Sequence, residues 1–246
     1  MTPWQPPAPS ERVYIVGDIH GCVGQLGRLL DAIDGDISKA GGAPGRVVFV
    51  GDYIDRGKDS ADVLIFAGQI LRDYPDVLVG LMGNHERMLL DFLDDPAGPA
   101  KRWLRYGGLQ TMASFGVGAG LSADTKSMGA LLDAAGDLRD AMGPELVTWL
   151  EHLPKSWNSG TLWVVHAGAD PDAPMDRQAD KALMWGHDAF LKQERTDGQW
   201  VAFGHQPFEE PFAEAGRIAV DTGAVYGGTL TAARVDPDGM VSFLSV

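Results

Sequence analysis

Residues 13–21 read Val-Tyr-Ile-Val-Gly-Asp-Ile-His-Gly: a short apolar run that breaks off into a glycine and two residues able to bind a metal ion, Asp18 and His20. A run that is apolar at every position, rather than at every second one, reads as a strand buried on both faces. The same grammar recurs downstream. Val47–Val50 runs into Gly51-Asp52-Tyr53-Ile54-Asp55-Arg56-Gly57, and Val77–Met82 into Gly83-Asn84-His85-Glu86. Leu162–Val165 runs into His166-Ala167-Gly168, and Trp200–Phe203 into Gly204-His205. In open α/β sheets ligands bind in the crevice beyond the strand carboxyl ends, so these polar residues can converge there.

Helical patterns separate the first three strands. Leu26, Leu29, Leu30 and Ile33 repeat at helical spacing, as do Val63, Phe66, Ala67, Ile70, Leu71 and Tyr74, with Asp59 or Ser60 available as N-cap. Strand, helix, strand, helix, strand indicates parallel βαβ units. From Arg87 to about Leu153 the pattern stays helical, with breaks at Pro96–Pro99, Gly107–Gly108 and Gly116–Gly120 and a last helix from Pro144. Beyond Trp157 the chain turns strand-rich: Ile218–Val220, Thr229–Val235 and Val241–Val246, the last two joined across Pro237-Asp238-Gly239. The expected organisation is a flexible Pro-rich tail over residues 1–11 and one domain over 12–246, with 95–145 a helical lobe or lid within it.

With 246 residues and 45% hydrophobic content the chain can bury one substantial core. A net charge of -14 works against binding nucleic acid or an anionic membrane, and it leaves any phosphorylated substrate in need of local positive charge. Bound metal ions can supply it. Cys22 is the only cysteine, which excludes an intrachain disulfide and a thiolate metal site. The N-terminus offers no apolar stretch of signal-peptide length and no run suits a membrane span, so a cytoplasmic protein is expected.

The candidate ligands are Asp18, His20, Asp52, Asn84, His166 and His205. Carboxylate, imidazole and amide oxygen without sulfur suit Mn²⁺, Fe or Zn²⁺, and Mn²⁺ is the first expectation. Six ligands suit two ions sharing a carboxylate. Taken singly, each motif has a plainer reading: Asp-x-His as a turn, Asp-x-x-Asp-Arg-Gly as a helix start with a surface ion pair, Gly-Asn-His-Glu as an acidic first turn, and the histidines as core residues. Those readings would have to hold independently at five strand ends.

The ordered set GDIHG, GDYIDRG, GNHE, HAG and GH resembles the phosphoprotein phosphatase branch of the calcineurin-like metallophosphoesterases, and above all its small bacterial and phage-type serine/threonine phosphatases. The similarity runs from about Val13 to the end and takes in DTGAVYGGTLT. It implies an α/β/β/α sandwich with a helical insertion and a dinuclear centre, Asp18, His20 and Asp52 holding one ion and Asp52, Asn84, His166 and His205 the other. It further implies direct in-line attack by a metal-bridging hydroxide, with no phosphoenzyme. Arg56 would bind the phosphoryl group, with Asn84 beside it, and His85 would protonate the leaving group with Asp55 orienting it.

One position departs from the family. In Leu183-Met184-Trp185-Gly186-His187-Asp188, His187 stands where relatives usually place a second phosphate-binding arginine. His187 is therefore a candidate substrate-binding residue, with helix capping as its plain reading and Arg177, Arg195 or Arg217 as spatial substitutes. His152 reads as a surface residue, Cys22 as a packing residue and Glu86 as a structural first-turn residue. The expected substrate is a phosphorylated protein or a small phosphoester. Symmetrical diadenosine tetraphosphate hydrolysis is the alternative, disfavoured by Asp55 and by GNHE where those relatives usually carry GNHD. A non-catalytic scaffold is a third reading, weakened because every ligand and the His85–Asp55 pair are present.

Overall fold

A computed structural model describes residues 4–39 and 45–246 of the chain. The strand β1 (Val13–Val16) pairs in parallel with β2 (Arg46–Phe49), and β2 with β3 (Leu78–Gly80), through the helices α1 (Val23–Lys39) and α2 (Ser60–Asp73). The other edge of β1 takes the antiparallel C-terminal hairpin. That arrangement gives a five-stranded sheet once β9 (Thr231–Val235) and β10 (Val241–Ser245) are added, in the order β10-β9-β1-β2-β3. The second sheet has the order β4-β5-β6-β8-β7, built from β4 (Ser156–Ser159), β5 (Leu162–Val165), β6 (Trp200–Phe203), β7 (Phe212–Glu214) and β8 (Arg217–Ala219). Strands β4 and β7 flank it antiparallel, while β5, β6 and β8 run parallel.

The alternation of side chains along a strand explains why the apolar runs are continuous. Val13 and Ile15 of β1 face the second sheet and meet Leu162, Val164, Trp200, Ala202 and Ile218. Tyr14 and Val16 face the other way, into a helix-covered core with Leu26, Phe49, Leu64 and Phe92. On the far face of the second sheet Val165, Val201 and Phe203 pack with Met175, Leu183 and Phe190. Three apolar layers therefore separate four layers of structure, the α/β/β/α sandwich that the motifs imply.

The helices α3 (Asn84–Asp94), α4 (Gly108–Ser114), α5 (Met128–Met142) and α6 (Pro144–Glu151) follow β3, with a 3₁₀ segment at Pro99–Tyr106 between α3 and α4. Leu131, Ala135 and Leu138 of α5 and Trp103 of the 3₁₀ segment join the same core as α1 and α2, so the stretch 95–145 is packed into the domain. A short helix α7 (Asp180–Trp185) covers the second sheet.

Two expectations shift. Strands β4 and β7 were not foreseen: Ser-Trp-Asn-Ser and Phe-Ala-Glu have too little apolar alternation to announce an edge strand. The N-terminal tail, expected to be loose, is docked over its described part. Trp4 stacks edge-on against Trp200 at 5.9 Å, Trp200 Nε1 donates to the Gln5 carbonyl, and Ser10 N donates to Ser159 Oγ. A Pro-rich segment needs no strand partner to lie flat on a sheet edge, and its apolar rings gain from covering one. Among the described residues, no helix is long and apolar enough to cross a membrane.

Candidate metal centre and active site

The parallel strands β1, β2, β5 and β6 end at one rim, and the polar residues after them meet there. The loops that deliver them turn too sharply for ordinary backbone. Among the described non-glycine residues, positive φ occurs at His20 (45°), Asp52 (54°), Asp55 (73°), Arg56 (66°) and His205 (67°), and otherwise only at Ala215. Residues held there cost roughly 1–3 kcal/mol each and persist where the surroundings over-determine them. Gly83 is needed for contact: a Cβ on it would lie 2.2 Å from Asp52 Oδ1.

Asp52 lies at the centre. Its Oδ2 is 3.5 Å from His20 Nε2 and 3.9 Å from His85 Nε2, whereas Oδ1 is 3.4 Å from His166 Nε2. One carboxylate thus faces two trios of potential ligands, His20–Asp52–His85 and Asp52–His166–His205. Asn84 Oδ1 sits 2.8 Å from both His166 Nε2 and His205 Nδ1, on the second trio. Asp18 joins neither trio; its carboxylate accepts the His205 backbone N–H at 3.0 Å and so ties the rims of the two sheets together.

The tautomers fit metal binding. His20 Nδ1 is 2.6 Å from the Ile54 carbonyl and His166 Nδ1 is 3.1 Å from the Val50 carbonyl, so each donates there and turns the lone pair of Nε2 toward the centre. Burial holds the imidazoles of His20 and His166 well below their ordinary pKa and His205 at about 4, which keeps them neutral and able to ligate. Burial, with neighbouring carboxylates, raises Asp18 and Asp52 well above theirs. Stacked acidic groups and neutral imidazole lone pairs pointing at one place form a donor set for hard or borderline cations.

Around this centre lie the groups that can handle a phosphoryl ester. Arg56 Nη1 is 2.5 Å from His20 Nε2, and its guanidinium lies over the ring of the exposed Tyr226, 5.6 Å from the centroid. His85 Nδ1 is 2.6 Å from Asp55 Oδ2, which leaves Nε2 facing the Asp52 carboxylate. Burial, helped by Arg56, pushes His85 down to about 3. It pushes Asp55 up to about 8, against the Thr111 and Trp103 hydrogen bonds. Both shifts act against a separate charge on either member of the pair.

The Calcineurin-like phosphoesterase profile matches residues 11–209. The chain belongs to that family. It is 28% identical over 270 residues to the symmetrical bis(5'-nucleosyl)-tetraphosphatase of Paracidovorax citrulli, covering 90% of this chain and 91% of that one. It is also 28% identical over 233 residues to serine/threonine-protein phosphatase 1 of Salmonella typhimurium, covering 91% of both chains. The crystal structure of a cold-active protein-tyrosine phosphatase from a Shewanella species superposes with a TM-score of 0.60 at 19% identity, covering 95% of this chain and 80% of that one. That last likeness shows the fold alone.

The calcineurin-like fold therefore gathers the buried Asp18, His20, Asp52, Asn84, His166, His85 and Asp55 with the half-buried His205 and Arg56 into one cluster at the sheet rim. His187 stands apart. It is half-exposed, accepts the Ala189 N–H at 3.3 Å, and lines a cavity of about 400 Å³ with Trp185, Lys192 and His205. Of the arginines suggested as substitutes, Arg195 is committed to the Asp170 and Ala173 carbonyls and to Asp197, and Arg217 to the Phe190 carbonyl. His152 is exposed, as expected.

Glu86 does more than begin a helix. It is fully buried, and its carboxylate accepts the backbone N–H groups of Gly83 (3.0 Å), Asp52 (2.8 Å) and Tyr53 (2.8 Å), which locks the Asp52 loop to the Asn84 loop. Sequence reasoning missed that brace, along with Trp103, Thr111 and Tyr226. A glutamate in a first helical turn looks the same whether it faces water or a neighbouring loop.

Proposed function

We propose that this member of the family is a two-metal phosphomonoesterase that protonates a poor leaving group, with phosphoserine- or phosphothreonine-containing proteins as its substrate class. The observation that carries the reading is the buried His85–Asp55 pair beside the metal-binding carboxylate. An alkoxide is a poor leaving group, and a positioned acid contributes about 10²–10⁴-fold to its departure. Asp18, His20, Asp52, Asn84, His166 and His205 would hold two divalent ions, Mn²⁺ being the first candidate. When bound, those ions supply the positive charge that activates water and offsets the phosphoryl oxygens.

The remaining roles belong to the chain. Arg56 offers paired N–H donors to the non-bridging phosphoryl oxygens, a fork that lysine lacks. His85 gives its Nε2 proton to the leaving oxygen as the P–O bond breaks. Asp55, hydrogen-bonded to Nδ1, orients the ring and stabilises its protonated form. His187 lies at the cavity beside His205, where a substrate side group can reach it.

A second reading stands on the relatives, whose names favour it. Symmetrical and asymmetrical bis(5'-nucleosyl)-tetraphosphatases recur among them, against one serine/threonine phosphatase. Hydrolysis of a dinucleoside tetraphosphate releases a nucleotide, which needs less help from an acid than an alkoxide does.

The deciding experiment compares turnover of a phosphoserine peptide and of diadenosine tetraphosphate by metal-stripped protein, with and without added Mn²⁺. Metal-dependent turnover that favours the peptide supports the first reading, and a strong nucleotide preference replaces it with the second. Inactivity on both, with fewer than one tightly bound ion, returns the chain to the non-catalytic scaffold.

A further inference from the structure

The segment Trp103-Leu104-Arg105-Tyr106-Gly107-Gly108 wraps around the turn that carries Asp55 and Arg56. Gly107, at φ 115°, approaches so closely that a Cβ would lie 2.5 Å from Arg56 N and 2.8 Å from Asp55 Cβ. A Cβ on Gly108 would fall 2.5 Å from the Trp103 ring. These two glycines let Trp103, in the 3₁₀ segment, and Thr111, in α4, close on one carboxylate. Trp103 Nε1 donates to Asp55 Oδ2 at 2.7 Å, and Thr111 Oγ1 donates to Asp55 Oδ1 at 2.6 Å. Thr111 Oγ1 in turn accepts the Asp55 backbone N–H at 3.0 Å. All three residues are fully buried.

We infer that Trp103 and Thr111, both from the helical stretch 95–145, are positioning residues for the proton donor: they fix both oxygens of Asp55 and thereby aim His85 Nε2 at the leaving group. The argument is geometric. Held only by His85, a carboxylate can rotate about its side-chain bonds and carry the imidazole with it. With a donor on each oxygen and a threonine bonded to both side chain and backbone, Asp55 has a single orientation. A buried carboxylate also needs its lone pairs satisfied, and water has no access at this depth. Trp103 is seated in turn by Phe92 of α3, with ring centroids 5.1 Å apart. The insertion therefore serves as the wall against which the acid is set. This inference rests on the reading of His85 as the proton donor.

The test exploits leaving groups. Trp103→Phe removes the donor and keeps a ring, and Thr111→Val keeps the shape. Turnover numbers would be measured on p-nitrophenyl phosphate, whose phenolate leaves unaided, and on phenyl phosphate, whose phenolate needs a proton, with His85→Asn as reference. Each variant is expected to lose about 10-fold on phenyl phosphate and less than about 2-fold on p-nitrophenyl phosphate. Thr111→Ser, which restores the hydroxyl, should return the ratio to that of the wild type. Equal losses on both substrates would reduce Trp103 and Thr111 to packing residues and overturn the inference. A His85→Asn enzyme indifferent to the leaving group would instead overturn the acid reading. Positioning is then judged by proton NMR of the Zn²⁺-loaded protein. The low-field resonance of the short His85–Asp55 hydrogen bond should weaken or shift in Thr111→Val and recover in Thr111→Ser. No change there would also overturn it.

Discussion

The rim loops and the helical insertion hold the candidate site by opposite means. The rim loops are strained: five of their non-glycine residues sit at positive φ, and the carboxylates of Asp18, Asp52 and Asp55 lie buried with pKa values pushed upward. The insertion is made of α-helix and a 3₁₀ segment and delivers two neutral donors, Trp103 and Thr111, from a well-packed core. Loops that must bring charges together spend stability on doing so. Helices behind them recover it through apolar burial and supply the fixed reference against which the charges are aimed.

The contrast makes its largest prediction at Asp52, whose one carboxylate faces both trios of potential ligands. Asp52→Asn should lower metal-dependent hydrolysis of p-nitrophenyl phosphate by more than about 100-fold, since even loss of a ligand's supporting partner costs about 10–100-fold. Elemental analysis should show fewer bound ions. Full metal content and activity in that variant would remove Asp52 from the centre and dissolve the distinction between charged rim and neutral wall.

His85→Asn comes next. On a phosphoserine peptide the expected loss in kcat is about 10²–10⁴-fold, with a smaller loss on p-nitrophenyl phosphate. Asp55→Asn should follow the same pattern less steeply, because the ring remains but its orientation and charge partner go. Uniform losses across leaving groups would mean that the pair is only a brace.

This difference between regions also explains what could be read in the sequence. Strands β1, β5 and β6 are legible to the residue, because a strand buried on both faces cannot afford a polar position, and the residue that follows it is conspicuous. Asp18, His20 and His205 stand out by type and place, and each folds into the cluster. Trp103 stands out by type, yet its partner lies 48 residues away and no periodicity points to it. Edge strands β4 and β7 are illegible for another reason: each pairs with the strand next in sequence, but is too short and too polar to show apolar alternation. The docked residues 4–10 have partners remote in sequence, which no local pattern announces. His187 is the converse, conspicuous by family comparison and half-exposed at a cavity wall.

Glu86 tests the junction between the two halves of the rim. Glu86→Gln removes one of the two oxygens that accept four backbone N–H groups, those of Gly83, Asp52, Tyr53 and Ile54. Hydrogen bonds to charged groups are worth about 1.5–3 kcal/mol, and a domain of this size loses about 2–4 °C per kcal/mol. A fall in melting temperature of about 5–10 °C is expected, together with weaker Mn²⁺ binding by calorimetry, because the Asp52 and Asn84 loops are freed. An unchanged Mn²⁺ affinity would confine Glu86 to stability.

A smaller effect comes from pH. In metal-free protein the folded pKa values of Asp18 and Asp52 are raised, so the stability they contribute is complete below about pH 4 and lost as pH rises through those folded values. His205, lowered to about 4, acts in the opposite sense: its contribution is present above about pH 6.5 and lost as pH falls through 4. Metal binding requires the carboxylates charged and the imidazoles neutral, so it releases protons. The rise in melting temperature on adding Mn²⁺ should therefore grow as pH rises through the raised carboxylate values, by up to about tenfold in affinity per pH unit for each proton released. A flat response would mean that both carboxylates are already ionised before the metal arrives.

The smallest effect is expected at Cys22, beside the first motif yet outside its chemistry. The thiol is half-buried against the helix-covered core, and burial, with Asp59 adding to it, raises its pKa above the ordinary value. Nucleophilicity and oxidation both require the thiolate, so the residue should be sluggish despite standing next to strained, reactive loops. Cys22→Ala should leave hydrolysis within about 2-fold and cost less than about 1 kcal/mol, in keeping with a small packing residue that has only part of its surface buried. Iodoacetamide should alkylate the native protein at neutral pH more slowly than the same chain in denaturant, the rate climbing only at pH values above the ordinary thiol range. Rapid alkylation near pH 7 with loss of activity would show that the field of the rim reaches this sulfur after all, and the boundary between strained site and quiet support would have to be redrawn one residue past the glycine that ends the first motif.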